Sequence, residues 1–488
     1  MLVRKIEPIQ GQPRIIVKCA PVGDYGRMEP EVVVGSNHIR YLNLGSHVRL
    51  TTDIPLSYVA DAKPFVLNEP RYLLFSYGPP LEAPLAATVE DFLEKTRKYW
   101  LQWVKTMSIA PIFQEPMIRS ALVLKLHQYE DTGGIIAAGT TSLPESPQSG
   151  RTWDYRYCWL RDTYYVLKAF NDVGHFEELE KYFHYVQNVM VREAPAIRPV
   201  YTVAGDPVPR EQHLPLAGYQ GNQPVRIGND AVAQRQHDIY GQVLISLLPL
   251  YIDRRLRYHD TRRTLDLVRG LLDRVDSAFE EPDAGIWEFR GRLQHNCHTY
   301  LFHWAGSHAA LKIAESLADA ALRDKAAVLV QRSAAKIEAC YDPSRAAYTQ
   351  AVGVPHLDAS DLQLISLHYL DPASERARRH LTALESQLKA DHGLFYRYVH
   401  DDDFGKPQAT FLAAAFWYVE TLACVGRVGE AIEALEQLLT YSNHLGLFSE
   451  DVTLEGSQWG NFPQTYSHVG LMNAVYRIAR KLDRPIFL

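Results

Sequence analysis

A long succession of helical segments constrains the fold of this chain more than any other feature of its sequence. From residue 89 onward, apolar residues recur at the three- and four-residue spacing of amphipathic helices, and loops rich in glycine and proline separate the segments. About a dozen helices in roughly 400 residues fit a toroid of six helix pairs, an (α/α)6 barrel, but the count alone also fits a solenoid or a large bundle. The predicted helices lie near residues 89–104, 115–129, 159–172, 176–190, 231–251, 261–279, 296–318, 322–340, 373–388, 409–424, 427–441 and 463–481.

The first 80 residues follow a different pattern, in which short apolar runs alternate with polar residues and stop at glycines or prolines. Such runs predict the strands of a β-sandwich, or of part of one. Prolines then mark a linker with a helix over residues 81–106, and the helical domain occupies 107–488. The predicted strand runs lie at residues 15–17, 32–34, 39–41, 48–50, 65–67 and 72–75.

Composition and charge exclude several kinds of partner. The formal net charge is -6, and the chain lacks the basic footprint of a nucleic-acid-binding protein. No apolar run is long enough for a membrane helix, and the first residues lack the apolar core of a signal peptide, so we predict a cytoplasmic protein. The five cysteines are scattered and odd in number, which fits reduced thiols better than a disulfide framework.

Four long loops interrupt the helical region. Loops of this length in a compact domain are usually functional or disordered, and the aromatic and apolar residues in these four argue against disorder. We therefore expect functional side chains in them. They span residues 132–158, 198–230, 281–295 and 443–463.

Residues 151–165, RTWDYRYCWLRDTYY, form the most unusual stretch of the chain. Aromatic residues fall at every second position from 153 to 159, and Arg161 and Asp162 follow at once. Flat aromatic faces next to fixed donors and acceptors suit a sugar ring, which presents C–H faces and a rim of hydroxyls. The alternative is an aromatic segment packed in a core, with its Arg and Asp paired only with each other.

Two loop glutamates are candidates for acid–base chemistry. Glu288 follows Trp287 in the sequence GIWEFRG, and an adjacent indole would exclude water from the carboxyl and favour its protonated form, as a general acid requires. Glu450 lies in the sequence GLFSED and could face Glu288 across a pocket. The alternatives are a surface ion pair between Glu288 and Arg290, and a solvated Glu450.

We predict neither a metal site nor a cofactor. His295, Cys297 and His298 lie close together in the sequence, but no second cluster with zinc spacing accompanies them. The phosphate-binding pattern GxxxxGK and the nucleophile motif GxSxG are both missing from the sequence.

Several stretches resemble, in the same order, those of the glucoamylase-type glycoside hydrolases of family 15, which include trehalase-type enzymes. The resemblance extends from about residue 89 to residue 481, and its most specific part is WDYRYCWLRD, residues 153–162. The other similar stretches are GIIAAGTTSLPE (134–145), LAGY (216–219), PVRIGN (224–229), GIWEFRG (285–291) and GNFPQTYSH (460–468).

This resemblance implies a mainly α protein, an (α/α)6 barrel with a pocket at one end, preceded by a shortened β-sandwich. It also implies an exo-acting, inverting attack on a terminal α-glucoside, with Glu288 as the general acid and Glu450 as the general base. The substrate-binding residues that it implies are Tyr155 near the catalytic water, Trp159, Arg161 and Asp162 around the terminal glucose, Trp287 beside the acid, Arg397 at the next sugar, and Arg226 and Asn229 on the neighbouring wall.

Three features depart from the family pattern. The β-sandwich is shorter than in bacterial relatives, which predicts an exposed sheet edge and suggests a homo-oligomer through this domain. In the helix behind the acid loop, Tyr300 stands where the family usually has a lysine and His303 where it has a small residue. Gln408 stands where relatives often have a glutamate. We expect these changes to alter shape or charge beyond the first glucose.

The leading interpretation is an inverting hydrolase that releases β-glucose from the non-reducing ends of malto- or isomalto-oligosaccharides. A trehalase of the same family has the same motifs and is an alternative. A catalytically inactive sugar-binding protein is an alternative of another class, suggested by the short sandwich and the altered helix. A phosphorolytic enzyme would not need Glu450, because phosphate itself attacks the sugar.

Overall fold

The computed structural model describes residues 1–78, 80, 81, 83–193, 197–253 and 261–482. The chain divides into two compact units, Met1–Thr106 and Met107–Leu488. The first unit contains an antiparallel sheet, and the second is mostly helical. Within the described residues, none of the helices is long and apolar enough to cross a membrane.

The N-terminal unit combines a five-stranded antiparallel sheet with a two-stranded one. Its strands are β1 (Leu2–Ile6), β2 (Arg14–Ile15), β3 (Glu31–Val34), β4 (His38–Leu42), β5 (Val48–Thr52), β6 (Phe65–Val66) and β7 (Arg71–Tyr77). The large sheet has the order β1-β7-β5-β4-β3, and the small sheet pairs β2 with β6. Ile39 and Tyr41 of β4 lie opposite Leu50 and Val48 of β5 and are buried with them, and Phe65 packs against this core.

Each of the six predicted strand runs overlaps a strand of this unit, whereas β1 was not predicted. Two helices complete the unit, α1 (Leu56–Ala60) and α2 (Leu85–Lys105). Helix α2, which the sequence placed in a linker, is tied to the sheet through Glu90, which accepts a hydrogen bond from the Tyr72 hydroxyl at 3.0 Å. Strand β3 ends the large sheet, and its Val32 and Val34 side chains are each 52% exposed. Strand β3 therefore forms one edge of the sheet among the described residues, and an oligomer through this edge stays a prediction.

Twelve helices of the second unit, counted within the described residues, alternate between an outer and an inner ring. Successive inner helices contact each other, directly or through the short turn before α10, and the last contacts the first. This closure makes the unit an (α/α)6 barrel and excludes the solenoid and the open bundle. The outer helices are α3 (Gln114–His127), α5 (Phe176–Glu193), α7 (Thr261–Ser277), α9 (Ala320–Glu338), α11 (Glu375–Leu388) and α13 (Val428–Leu439). The inner helices are α4 (Leu160–Val173), α6 (Asp238–Ile252), α8 (Cys297–Leu317), α10 (Gln363–Ser366), α12 (Leu412–Cys424) and α14 (Thr465–Leu482).

The alternation determines where long loops can meet. Inner and outer helices run in opposite directions, so every connection from an outer helix to the next inner helix emerges at the same end of the barrel. At the other end connections such as Gly174–His175, between α4 and α5, are short. All four loops that the sequence predicts to be functional are outer-to-inner connections, so the fold gathers them at one end.

Short strands pair within these connections. They are β8 (Cys158–Trp159), β9 (Val200–Tyr201), β10 (Gln212–Leu214), β11 (Val225–Ile227), β12 (Tyr341–Asp342), β13 (Ala347–Tyr348), β14 (Thr410–Phe411), β15 (Asp451–Val452) and β16 (Gln458–Trp459). Strand β8 pairs with β9, and β15 pairs with both β14 and β16. The pairings of β8 with β9 and of β14 with β15 each join two different loops, so they help to fix the walls of the end where the loops meet.

Candidate active site

A pocket of about 920 Å³, its open mouth included, lies among the outer-to-inner loops. Five of the six loops line it, including the four predicted to be functional. The fifth joins α11 to α12 and was not predicted as a functional loop. Nine of the ten predicted site residues line the pocket, namely Tyr155, Trp159, Arg161, Asp162, Asn229, Trp287, Glu288, Arg397 and Glu450.

Three donors hold one oxygen of Glu288. Its Oε1 accepts hydrogen bonds from the Trp159 indole at 2.6 Å, the Arg161 guanidinium at 3.0 Å and the Gln236 amide at 3.1 Å. None of the described groups donates a hydrogen bond to Oε2. The backbone of Glu288 has a φ of 59°. This left-handed conformation costs a non-glycine residue about 1–3 kcal/mol and is typical of functional sites.

Glu450 is only 3% exposed, and one of its oxygens is also fixed. Its Oε1 accepts a hydrogen bond from the Tyr155 hydroxyl at 2.8 Å, and Oε2 has no hydrogen-bond partner within the described part of the chain. Burial raises the pKa of Glu450, and the negative charge of Glu145 raises it further. Glu450 therefore has a higher proton affinity than an ordinary carboxylate, as suits a group that takes a proton from water.

An aromatic pair connects the two carboxylates. The rings of Tyr155 and Trp159 are in edge contact, with centroids 5.5 Å apart, and each ring donates to a different glutamate. The sequence suggested that Trp287 is the indole beside Glu288. Instead, Trp287 donates its Nε1 proton to Asp358 at 2.7 Å, and the indole bonded to Glu288 comes from Trp159.

Arg161 and Asp162, at the start of α4, both line the pocket. No hydrogen bond or ion pair joins the two side chains to each other in the described structure, and Arg161 donates to Gln236 at 2.6 Å as well as to Glu288. Burial raises the pKa of Asp162 to about 7, although the Arg161 charge lowers it. The sequence analysis also considered an Arg and an Asp of this stretch that pair with each other. Such a pair does exist, but it is formed by Arg156 and Asp154.

Asn229 and Arg397 both line the pocket, and each makes hydrogen bonds to other parts of the protein. The Asn229 amide accepts from the Ala231 backbone N–H at 2.9 Å and donates to the Asp154 carbonyl at 3.3 Å, so it shapes the wall. Arg397 is buried, and its guanidinium donates to a carboxylate oxygen of Glu145.

Arg226 is the one predicted site residue that does not line the pocket. Its guanidinium lies over the Trp153 ring, 4.7 Å from the centroid. It donates to Glu211 at 2.9 Å and to the Thr152 carbonyl at 2.6 Å. These acceptors hold the side chain behind the wall, so its expected position on the wall is corrected to one that supports Trp153.

Other pocket residues were not predicted. Trp153 donates its indole proton to Glu145 at 2.8 Å, and Arg151 binds Asp402 through two hydrogen bonds of 2.7 and 2.6 Å. Glu145 lies inside a family-like stretch, where no spacing rule distinguishes it from its neighbours, whereas Trp153 belongs to the alternating aromatic stretch but was not among the predicted site residues. Tyr398, Asp402 and Phe404 are among the pocket residues that come from the loop between α11 and α12.

Comparison with known proteins gives the family of the chain. The sequence profile of Glycosyl hydrolases family 15 matches residues 111–476. The chain belongs to glycosyl hydrolases family 15. One relative, a trehalase of Thermoplasma volcanium, is 32% identical over 81% of this chain and 62% of its own length. A trehalase of Mycobacterium tuberculosis is 31% identical over 98% of this chain and 73% of its own length. The chain therefore spans less than two thirds of the Thermoplasma relative.

Solved structures of glucoamylases share the fold. A bacterial glucoamylase complexed with acarbose aligns with a TM-score of 0.67 at 15% identity, over 90% of this chain and 73% of that one. The glucoamylase of Saccharomycopsis fibuligera aligns with a TM-score of 0.52 at 12% identity, over 81% of this chain and 96% of that one.

The expected departures from the family 15 pattern lie outside the pocket. No residue from 297 to 304 lines it. The Tyr300 hydroxyl bonds to His295 at 2.7 Å, and the buried His303 ring bonds to the His237 carbonyl at 2.9 Å. Gln408 is exposed and does not line the pocket either. The expectation that these residues reshape the site by direct contact is therefore not supported.

Gly460 provides a test of how tightly this family 15 pocket is built. Its φ is +81°, and a Cβ added there would lie 2.7 Å from the Cβ of Glu450. We expect Gly460→Ala to displace the Glu450 carboxyl and to lower kcat by at least roughly tenfold, since small misplacements of reacting groups are costly. Gly426→Ala is the matched control, because Gly426 has a φ of +88° and no atom within 4 Å of an added Cβ. Equal kcat in the two variants would contradict this reading.

Proposed function

We propose that this chain is an inverting hydrolase of α,α-trehalose, with Glu288 as the general acid and Glu450 as the general base. One observation carries the proposal: the two carboxylates line one pocket, each with Oε1 bonded to one ring of the Tyr155–Trp159 pair and with Oε2 free. An inverting pair must leave room for a water molecule beside the sugar, and two rings in contact between the glutamates support such a spacing.

In the proposed reaction, one glucose unit binds with its hydroxyls against Arg161 and Asp162. Glu288 gives the proton on Oε2 to the bridging oxygen while the bond from C1 to that oxygen breaks. On the opposite face of the ring, a water molecule forms the new C1–O bond and transfers a proton to Oε2 of Glu450. Arg161 and Trp159 then stabilise the carboxylate left on Glu288 through the bonds that they already make. Solvent exchange returns Glu288 to its acid form and Glu450 to its base form.

Charges of both signs line the pocket, namely four arginines and six Asp or Glu residues, and the proposed reaction begins with one of these carboxyls, Glu288, protonated. The names of the Thermoplasma and Mycobacterium relatives support trehalose over malto- and isomalto-oligosaccharides, which are the alternative substrates.

The anomers released from trehalose test the proposal. The unit attacked by water would appear as β-glucose, whereas the departing unit keeps its own C1–O bond and would appear as α-glucose. We therefore expect proton NMR to detect equal amounts of the two anomers at early times, before mutarotation.

Maltose, isomaltose and dextran serve as comparison substrates in the same assay. Hydrolysis of these sugars without hydrolysis of trehalose would replace the proposed substrate. Early release of α-glucose alone would contradict inversion. An enzyme preparation that binds trehalose and hydrolyses none of the four sugars would favour the inactive sugar-binding protein.

A further inference from the structure

A third carboxylate lies beside the two proposed catalytic ones. Glu145 is 5% exposed, lines the pocket, and has both oxygens occupied. Its Oε1 accepts the Trp153 indole proton at 2.8 Å, and its Oε2 accepts from the Arg397 guanidinium. Arg151 approaches the same Oε2 at 4.0 Å. The proposed mechanism gives Glu145 no task, although a buried carboxylate is costly unless it is well paired.

The backbone joins Glu145 to the loop that carries the proposed base. The N–H of Gly460 donates to the carbonyl of Pro144 at 2.8 Å. Gly460 in turn packs so closely on Glu450 that an added Cβ would lie 2.7 Å from the Cβ of Glu450. Glu145 therefore has a fixed position relative to Glu450, while its carboxylate fixes Arg397 and Trp153 of the wall.

We propose that Glu145 is a positioning residue that orients Arg397 and Trp153 toward the substrate, and that its fixed carboxylate acts electrostatically on Glu450. This inference rests on the proposed function, because it takes Glu450 as the base. Glu145 itself contacts neither the attacking water nor the bond that breaks.

The charges around Glu450 support the second part of this proposal. Burial raises the pKa of Glu450 most, Glu145 is the nearby charge that raises it most, and Arg397 lowers it. The groups that face Glu450 are Glu145 and Tyr155 from the loop before α4, Glu288 from the loop before α8, Arg397 from the loop before α12, and Asp451 of its own loop.

The Glu145→Gln variant removes this charge with little change in size. Without the negative charge, and with Arg397 unpaired beside it, Glu450 would lose its proton at lower pH. We expect the acidic limb of the profile of kcat/KM against pH, measured on trehalose, to move down by about one pH unit. A purely structural role would lower activity without moving this limb.

Glu145→Asp separates charge from geometry. Aspartate keeps the negative charge, but its side chain is one methylene shorter, so the carboxylate lies farther from Arg397 and Trp153. We therefore expect KM to rise severalfold while the acidic limb of the pH profile stays in place. This variant also tests the proposal if Glu145→Gln does not fold. An unchanged KM, or a shifted limb, in Glu145→Asp would overturn the proposal.

Glu211→Gln is the matched control. The Glu211 side chain is likewise buried and pairs with two arginines, Arg226 at 2.9 Å and Arg290 at 2.6 Å, but the charges with the largest effects on the pKa of Glu450 belong to other residues. We expect the acidic limb of the profile of kcat/KM against pH in Glu211→Gln to match that of the wild type. Equal shifts in Glu211→Gln and Glu145→Gln, or no shift in Glu145→Gln, would overturn the role assigned to Glu145.

The two proposals fail in different ways. A wild-type enzyme that hydrolyses maltose but not trehalose would overturn only the proposed substrate. The acidic limb of the pH profile would then be measured with maltose as the substrate. A wild type that hydrolyses trehalose, with an acidic limb that Glu145→Gln leaves in place, would overturn the role of Glu145 alone.

Discussion

Replacing Glu288 by glutamine is expected to lower kcat for trehalose by roughly 10²–10⁴-fold, the usual contribution of a positioned general acid. The departing group is a sugar alkoxide, which leaves poorly unless it receives a proton as the bond breaks. Glutamine keeps the size of the side chain, and its Oε1 can still accept from Trp159, Arg161 and Gln236. The loss would therefore report the missing proton. Initial rates of glucose release from trehalose, compared with the wild type at equal thermal stability, measure it.

α-Glucosyl fluoride is the control for this assignment, because fluoride leaves with little help from an acid. We expect Glu288→Gln to hydrolyse it at a rate within about tenfold of the wild type, since only the protonation of the leaving group is lost. An equal loss on trehalose and on the fluoride would mean that Glu288 binds or positions the sugar and is not its acid.

The helices were predictable because each long one has a periodic apolar face. The two differences in the barrel have local causes. The helix α10, Gln363–Ser366, is a single turn, which is too short for a periodic pattern. The helix expected from residue 231 begins at Asp238, because a 3-10 turn occupies Asp230–Ala233. The helix count alone did not decide between barrel, solenoid and bundle, since closure depends on contacts between α4 and α14, at opposite ends of the helical unit; the family resemblance was what implied the barrel.

The site was predictable where its chemistry is local, as in the alternating aromatic stretch and in the two loop glutamates. It was not predictable where partners are distant in the sequence. The indole that bonds to Glu288 is Trp159, 129 residues away, and not its neighbour Trp287. Glu145 and its partner Arg397 are separated by 252 residues, so neither residue's surroundings in the sequence reveal the pair. Arg226 lies in a stretch that resembles the family, so the sequence placed it on the pocket wall. Only the structure reveals that it packs behind Trp153 and supports that ring.

Replacing Glu450 by glutamine is expected to lower kcat by roughly 10²–10⁴-fold on trehalose and on α-glucosyl fluoride alike. Both substrates need a water molecule that gives up a proton, so an easier leaving group does not restore the rate. The Tyr155 hydroxyl can still donate to the amide oxygen, as it does to Oε1 of Glu450 at 2.8 Å, so the pocket should keep its shape. This equal loss distinguishes the base from the acid, whose removal spares the fluoride.

Azide supplies the decisive control for Glu450, because it attacks as an anion and needs no base to remove a proton. With Glu450→Gln, azide should enter from the face that water normally uses, form the bond to C1, and yield β-glucosyl azide while Glu288 protonates the departing sugar. Proton NMR of the product from trehalose gives its anomeric configuration. α-Glucosyl azide would indicate attack from the other face, and a wild-type rate without azide would mean that a different group takes the proton from water.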